Sequence, residues 1–337
     1  MDIFANIMSA TIIFAVPLLL VALGGMFSER SGVINLALEG IMIMGALFSC
    51  LTLKTLNMVN GMEDPLNSFG GQHPILAMFI AILVGAVVGM IYSLLLAFAA
   101  INLKADQTIG GTALNMLAPG LAIVITWAIQ GQGNTTVIFP IWTRITKETL
   151  GLDPVMNGFW DTFFFKSFYL TTPIAFVVLI ATIIILYKTK FGLRLRACGE
   201  HPQAADSVGI NVYKMRYAGV MISGALGGIG GLAFTVAAGS GFSSSVAGYG
   251  FLALAVMIFG NWKPLNILGA SFFFALFKVV SSYTSLIPFL PKFEGLTRGE
   301  SIYNMLPYIV TMIILIVTSK NSAAPKAEGI PYDKGQR

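Results

Sequence analysis

Residues 3–26, IFANIMSATIIFAVPLLLVALGGM, carry no charged side chain over a full apolar run. About 20 such residues are what a helix needs to cross a hydrocarbon core of about 30 Å. Comparable runs recur at 32–53, 74–102, 108–130, 171–187, 217–239, 247–260, 265–282 and 302–318. The expected fold is therefore all-α, a polytopic transmembrane bundle of about nine spans, with eight to ten as the range. The seventh run is short, which points to a tilted span, a partly re-entrant one, or one that extends further at its N-terminal end. Residues 163–170 (FFFKSFYL) leave room for an extra interfacial helix.

Composition agrees. The chain is 56% hydrophobic and 10% charged, whereas a soluble domain carries about 25% charged residues because its surface faces water. Asp2, and an apolar stretch that continues past Gly24 without a small-residue cleavage site, argue against a cleavable signal. Cys50 and Cys198 lie far apart, as do His73 and His201, so neither a disulfide framework nor a metal site is expected.

Orientation follows from the basic residues, which favour cytoplasmic loops. The loop 188–216 holds Lys188, Lys190, Arg194, Arg196, Lys214 and Arg216. With that loop inside, Arg30, Lys104, Lys263, Lys320, Lys326, Lys334 and Arg337 also fall inside. Lys54, Arg144, Lys147, Lys166, Lys292 and Arg298 fall outside. The expected topology places the N-terminus outside and the C-terminus in the cytoplasm. Residues 1–318 then form one membrane domain with a long external loop, 131–170. The polar tail 319–337, with Pro325 and Pro331, reads as disordered.

Enzymatic motifs are missing. No GxxxxGK[ST] phosphate loop, HExxH or GxSxG occurs, and GIGGLA at 228–233 matches a dinucleotide fingerprint only inside an apolar helical run. The chain is expected to be a non-enzyme without cofactors and without a nucleic-acid partner, set among membrane lipid.

Three stretches carry chemistry. Ser223-xxx-Gly227-xxx-Gly231 and Gly224-xxx-Gly228 put small residues on helix faces, which lets a neighbouring helix approach closely. Tight packing and a helix that rocks during transport both fit. Glu39 is the acid deep in a span, with Asn35 one turn earlier and Asn115 at a similar depth. A buried carboxylate must face the bundle interior or water, so these three are either glue between helices or lining of a solute path. In the loop 188–216, EHPQAADSV (200–208) fits a short helix with Pro202 in its first turn and Gly209 just past its end. It serves equally as a docking element or as a loop drawn to anionic lipid.

At that loop the chain resembles a known family. RACGEHPQAADSVGINV (196–212) and SGALGG (223–228) are similar to the signature region of permease subunits of bacterial ABC importers, in the branch of branched-chain amino acid and simple sugar permeases. SERSGVINLALEGIM (28–42) and DQTIGGTALN (106–115) resemble the nucleoside-transporting members, in particular the second, shorter permease of a nucleoside importer. The resemblance implies the ABC permease fold in a bacterial plasma membrane and a second, related, longer permease subunit. It also implies separate ATP-binding subunits and an extracytoplasmic substrate-binding lipoprotein or periplasmic protein. Gly199, Glu200, Pro202, Ala204, Ala205 and Gly209 would be the ATPase-docking residues. The solute would be a nucleoside, with a simple sugar as the alternative. Apart from the resemblance, an ion-coupled secondary carrier working without ATP is the remaining reading of the function.

Overall fold

The computed structural model describes residues 2–144, 169–239, 241–282 and 324–335, with scattered positions between 305 and 316. Its helices are α1 (Asp2–Arg30), α2 (Leu38–Leu56), α3 (Phe69–Gln72), α4 (Pro74–Ala97), α5 (Gln107–Gln130), α6 (Thr171–Lys188), α7 (Lys190–Glu200), α8 (Pro202–Ser207), α9 (Val212–Ala238), α10 (Tyr249–Phe259) and α11 (Pro264–Ser282). A π-helical turn, Phe98–Asn102, extends α4. Among the described residues six helices are long and apolar enough to cross a membrane, α1, α2, α4 with its π turn, α5, α6 and α9, while α10 and α11 are shorter apolar helices. The ninth expected span, 302–318, falls almost wholly outside the described residues, as do most of the loop 131–170 and the stretch 163–170.

Local chemistry sets the helix ends. Asp106 caps α5, its carboxylate accepting from Thr108 N (2.8 Å) and Ile109 N (2.9 Å). Asn211 caps α9 through Lys214 N (3.0 Å), and the Thr189 hydroxyl caps α7 through Gly192 N (3.2 Å). At the end of the bundle away from the basic loop, Met58–Val59 and Met62–Glu63 pair as a small antiparallel hairpin.

Helix α9 is the centre of the bundle and packs against α1, α2 and α4. Its glycines bring its backbone close to all three neighbours. A Cβ at Gly228 would collide with the Gly85 carbonyl of α4, one at Gly224 with the Ser93 side chain, and one at Gly231 with the Met42 carbonyl of α2. Gly227 lies against Ile41, and the Ser223 carbonyl against Gly24 of α1. The opposing surfaces are themselves small: Gly45 of α2 and Gly85 and Gly89 of α4 face the same crossing. Gly85 and Gly89 are four residues apart, the spacing that marks a close-packing face. Outward, α4 presents Phe79, Leu83, Val87, Ile91 and Leu95, an apolar face suited to lipid or to another membrane subunit.

Two expectations change. The second span does not begin at residue 32: Ser31–Ala37 is non-helical and α2 starts at Leu38. Gly32 turns the chain at φ +95°, a conformation that glycine adopts without steric cost. Backbone bonds back to Ser28 and Glu29 close the turn, and side chains add to them, with Ser28 Oγ donating to Val33 O (2.7 Å) and Ile34 N donating to Gln107 Oε1 (2.7 Å). Asn35 therefore does not share a helical face with Glu39. Nor are residues 324–335 of the tail disordered. They lie along the basic end of the bundle, where Ala327 and Tyr332 are each 5% exposed. Composition averages over a segment, whereas a few side-chain anchors hold this one.

Candidate functional site

The basic end is built around α7 and α8. Pro202 opens α8, where its missing N–H costs nothing. The helix stops in a Schellman arrangement, with Ile210 N donating to Ala205 O (3.0 Å), Gly209 N donating to Asp206 O (2.9 Å), and Gly209 at φ +82°. Buried Pro202 and Ala205 seat α8 on the bundle, while Gln203, Ala204, Ser207 and Val208 point outward. Val208 is 74% exposed. The six residues proposed from sequence thus divide by geometry. Ala204 and Gly209 are on the surface. Pro202 and Ala205 are in the seat, Ala205 packing with Cys198, Val212 and Tyr332. Gly199 is buried against the Arg30 backbone. The Glu200 carboxylate stands 3.8 Å from Arg30 Nη1, half open to solvent, where such a pair contributes little.

Sequence reasoning missed the tail as part of this face. Ala327 N donates to Gly199 O (2.8 Å), Arg216 Nη1 donates to Ile330 O (3.0 Å), and Lys104 Nζ lies 2.8 Å from Asp333 Oδ2. The Tyr332 ring meets Tyr213 edge-on at 5.4 Å. Arg216 is 1% exposed, so the carbonyl that the tail brings to it matters: a buried guanidinium needs acceptors. The hydrogen bond to Asp333 raises the Lys104 ammonium above its usual range, and burial pushes the Cys198 thiol up to about 11. Glu328 hydrogen-bonds Glu29, and burial pushes the Glu328 carboxyl above the usual carboxylate range. Glu29 also accepts from Trp262 Nε1 at 2.6 Å. Tyr332→Ala should remove the tail's one large buried side chain, a truncation worth about 3 kcal/mol. Trypsin should then cut at Lys326 and Lys334 well before it cuts the wild type, and amides of 199–212 should exchange faster.

Inside the bundle the three polar residues expected to meet are held separately. Asn35 Nδ2 donates to Ser223 Oγ (2.8 Å) while its Oδ1 accepts from Ala37 N (3.1 Å). Asn115 Oδ1 accepts from Gly40 N (2.8 Å), and its Nδ2 donates to Leu36 O (2.6 Å). Glu39 pairs with neither. Its Oε1 accepts from Gly248 N (2.8 Å) and its Oε2 from Gly250 N (2.7 Å), and Phe251 N–H also reaches it. The carboxylate thereby caps α10, whose first N–H groups have no partner within the helix. Each of the three side chains ties the break at 31–37 or the first turn of α2 to another element: Asn35 to α9, Asn115 from α5, and Glu39 to α10. Among the described residues no cluster of three or more His, Cys, Asp or Glu could hold a metal.

Comparison with known proteins sets this architecture in context. The chain is 42% identical over 337 residues to the guanosine ABC transporter permease protein NupQ of Bacillus subtilis, covering 100% of this chain and 99% of that one. It is 39% identical over 334 residues to the nucleoside ABC transporter permease protein NupC of Lactococcus lactis, covering 98% and 97%. A more distant likeness, 26% over 166 residues and 49% and 44% of the two chains, is to the nucleoside ABC transporter permease protein NupB of the same Lactococcus strain. No solved structure matches. Several apolar helices and relatives of this kind make it a multi-pass membrane protein. Residues 7–318 match the family described as the permease component of the branched-chain amino acid transport system, and the chain belongs to that family.

Proposed function

We propose that the chain is one of two permeases in an ATP-driven importer of nucleosides. The observation that carries this is likeness along the whole chain to NupQ and NupC, described as guanosine and nucleoside permeases. A second permease is supported by NupB and NupC occurring together in one Lactococcus strain. The chain has no phosphate loop of its own, so hydrolysis belongs to separate ATP-binding subunits, and an extracytoplasmic binding protein delivers the solute. In this reading the basic end faces the cytoplasm, the N-terminus lies outside, and segment 302–318 completes nine spans.

The ATP-binding subunit docks on α8. Its exposed Ala204 and Val208, on a helix seated by Pro202 and Ala205, give a partner a small rigid ridge to grip. Gly199, Glu200 and Gly209 support that ridge. Asn35, Glu39 and Asn115 shape the path by stitching the break at 31–37 and the first turn of α2, since their polar atoms are already bonded within the bundle. Ala204→Arg should leave the protein in the membrane but cut solute-stimulated ATP hydrolysis and uptake at least about tenfold, the equivalent of losing one good interface contact. Ala205→Arg is a poorer probe, because Ala205 is 3% exposed and the change would unseat α8.

The reading itself is tested by uptake of a radiolabelled nucleoside in cells with and without the chain, competed by nucleosides, bases and pentoses. Uptake that needs the chain and ATP, and is competed best by nucleosides, is the expected result. Competition by pentoses alone would move the substrate to sugars. Uptake that survives ATP depletion but collapses with the proton gradient would overturn the ATP-driven assignment.

A further inference from the structure

Between α9 and α10, residues 241–248 are non-helical and run inward. Phe242 bridges Val137 in both directions, at 2.8 and 2.9 Å, beyond the end of α5. Six residues later Gly248 N donates to Glu39, near the start of α2. Exposure alternates along the stretch: Phe242, Ser244 and Val246 are buried, while Ser243, Ser245 and Ala247 are exposed. The backbone is irregular, with Ser244 at φ +58° and Ala247 at φ +52°, yet the segment sets one face on protein and leaves the other open.

Its depth follows from α10. That helix has 11 residues, which at 1.5 Å each is about 16 Å. Its far end leads to Trp262, which donates to Glu29 beside Arg30 at the basic end of α1. Tyr249 at the near end packs between Phe14 and Phe234, with ring centroids 6.5 and 4.3 Å away. The start of α10 therefore lies about halfway across a hydrocarbon core of about 30 Å. Non-helical backbone at that depth is tolerated only where it is buried in protein or lines water, because lipid satisfies none of its N–H and C=O groups.

We infer that the open face of segment 241–248 lines the solute route, with Ser243 and Ser245 presenting hydroxyls to an uncharged, hydroxyl-rich solute such as the sugar of a nucleoside. The inference rests on the permease reading above and adds the residues that meet the solute. A serine hydroxyl both donates and accepts, so it exchanges partners with water and with a sugar hydroxyl. Such contacts are weak enough to be left again, which passage through a membrane requires. The carboxylate at this level, Glu39, is already engaged by three backbone N–H groups. Beside the end of α9, ahead of this segment, a cavity of about 210 Å³ is lined by Asn6, Ser9, Phe14, Arg144, Tyr169 and Gly239.

The test is cysteine labelling of the assembled transporter in membranes. Cys50 and Cys198 are both buried, so background reaction is low. Ser243→Cys and Ser245→Cys should react with a charged, water-soluble methanethiosulfonate, and saturating nucleoside should slow that reaction. Val87→Cys, on the apolar outer face of α4, should not react. Unreactive cysteines at 243 and 245, or reaction rates indifferent to nucleoside while wild-type uptake is intact, would overturn the lining. Absent wild-type nucleoside uptake would instead count against the substrate reading, and labelling is then repeated with a pentose. If a cysteine variant does not reach the membrane, Ser243→Ala and Ser245→Ala serve. One lost hydrogen bond should raise KM for uptake about threefold or more, and an unchanged KM in both would overturn the proposal.

Discussion

Glu39→Ala is expected to abolish uptake and to strip most of the protein from the membrane. The carboxylate accepts from the N–H groups of Gly248, Gly250 and Phe251. Removing it leaves those donors unpaired mid-membrane, at about 1–3 kcal/mol each. Total stability is commonly only about 5–15 kcal/mol, so the loss is a large share. Glu39→Gln should not rescue it. An amide keeps one acceptor oxygen but turns an NH₂ group toward N–H groups that need acceptors. Thermal melting of the purified protein in detergent, alongside membrane abundance, reads both variants. A melting temperature for Glu39→Gln within a few degrees of the wild type would show that the cap is not what holds α10.

Gly228→Val should be as damaging for a different reason. At this crossing α2, α4 and α9 meet backbone to backbone, with the Gly85 carbonyl and the Gly45 backbone against Gly228. The added side chain points at the Gly85 and Gly89 backbone, which cannot swing away, so α4 and α9 would have to separate. Ordinary overpacking costs about 1–3 kcal/mol, and a collision with the rigid α4 backbone belongs above that range. Even Gly228→Ala should lower the melting temperature, whereas Gly120→Ala on α5, where a Cβ meets nothing within 4 Å, should leave it unchanged. Equal melting temperatures for Gly228→Ala and Gly120→Ala would refute the close crossing.

The residues differ in how much of this they announce. Helix positions are legible because a span must be long and apolar, a property of many residues at once. Helix α8 is legible because its signals are local, Pro202 at one end and Gly209 at the other. The glycines of α9 point to a close crossing, and Gly85-xxx-Gly89 on α4 carries the same signal for the opposing face. The break at Ser31–Ala37 is hidden by apolar Val33, Ile34 and Leu36, which fit a span as well as a loop. The partner of Glu39 is hidden more deeply. It is backbone N–H, which every residue but proline carries, and it lies 209 positions away at Gly248. The tail is hidden because single anchors, not composition, hold it.

Those anchors have a consequence in time. Gly199 and Arg216 leave the ribosome well before Ala327 and Ile330, which bind them. At about 5–20 residues per second, the intervening chain delays that fastening by roughly ten seconds. The nascent loop spends that interval with the Arg216 guanidinium short of the acceptor that Ile330 will bring. The face that would receive an ATP-binding subunit is thus the last part of the described molecule to be finished. A chain whose synthesis stops after α11 would insert its helices yet display an unlatched surface, which gives surveillance proteases a way to tell it from a finished one.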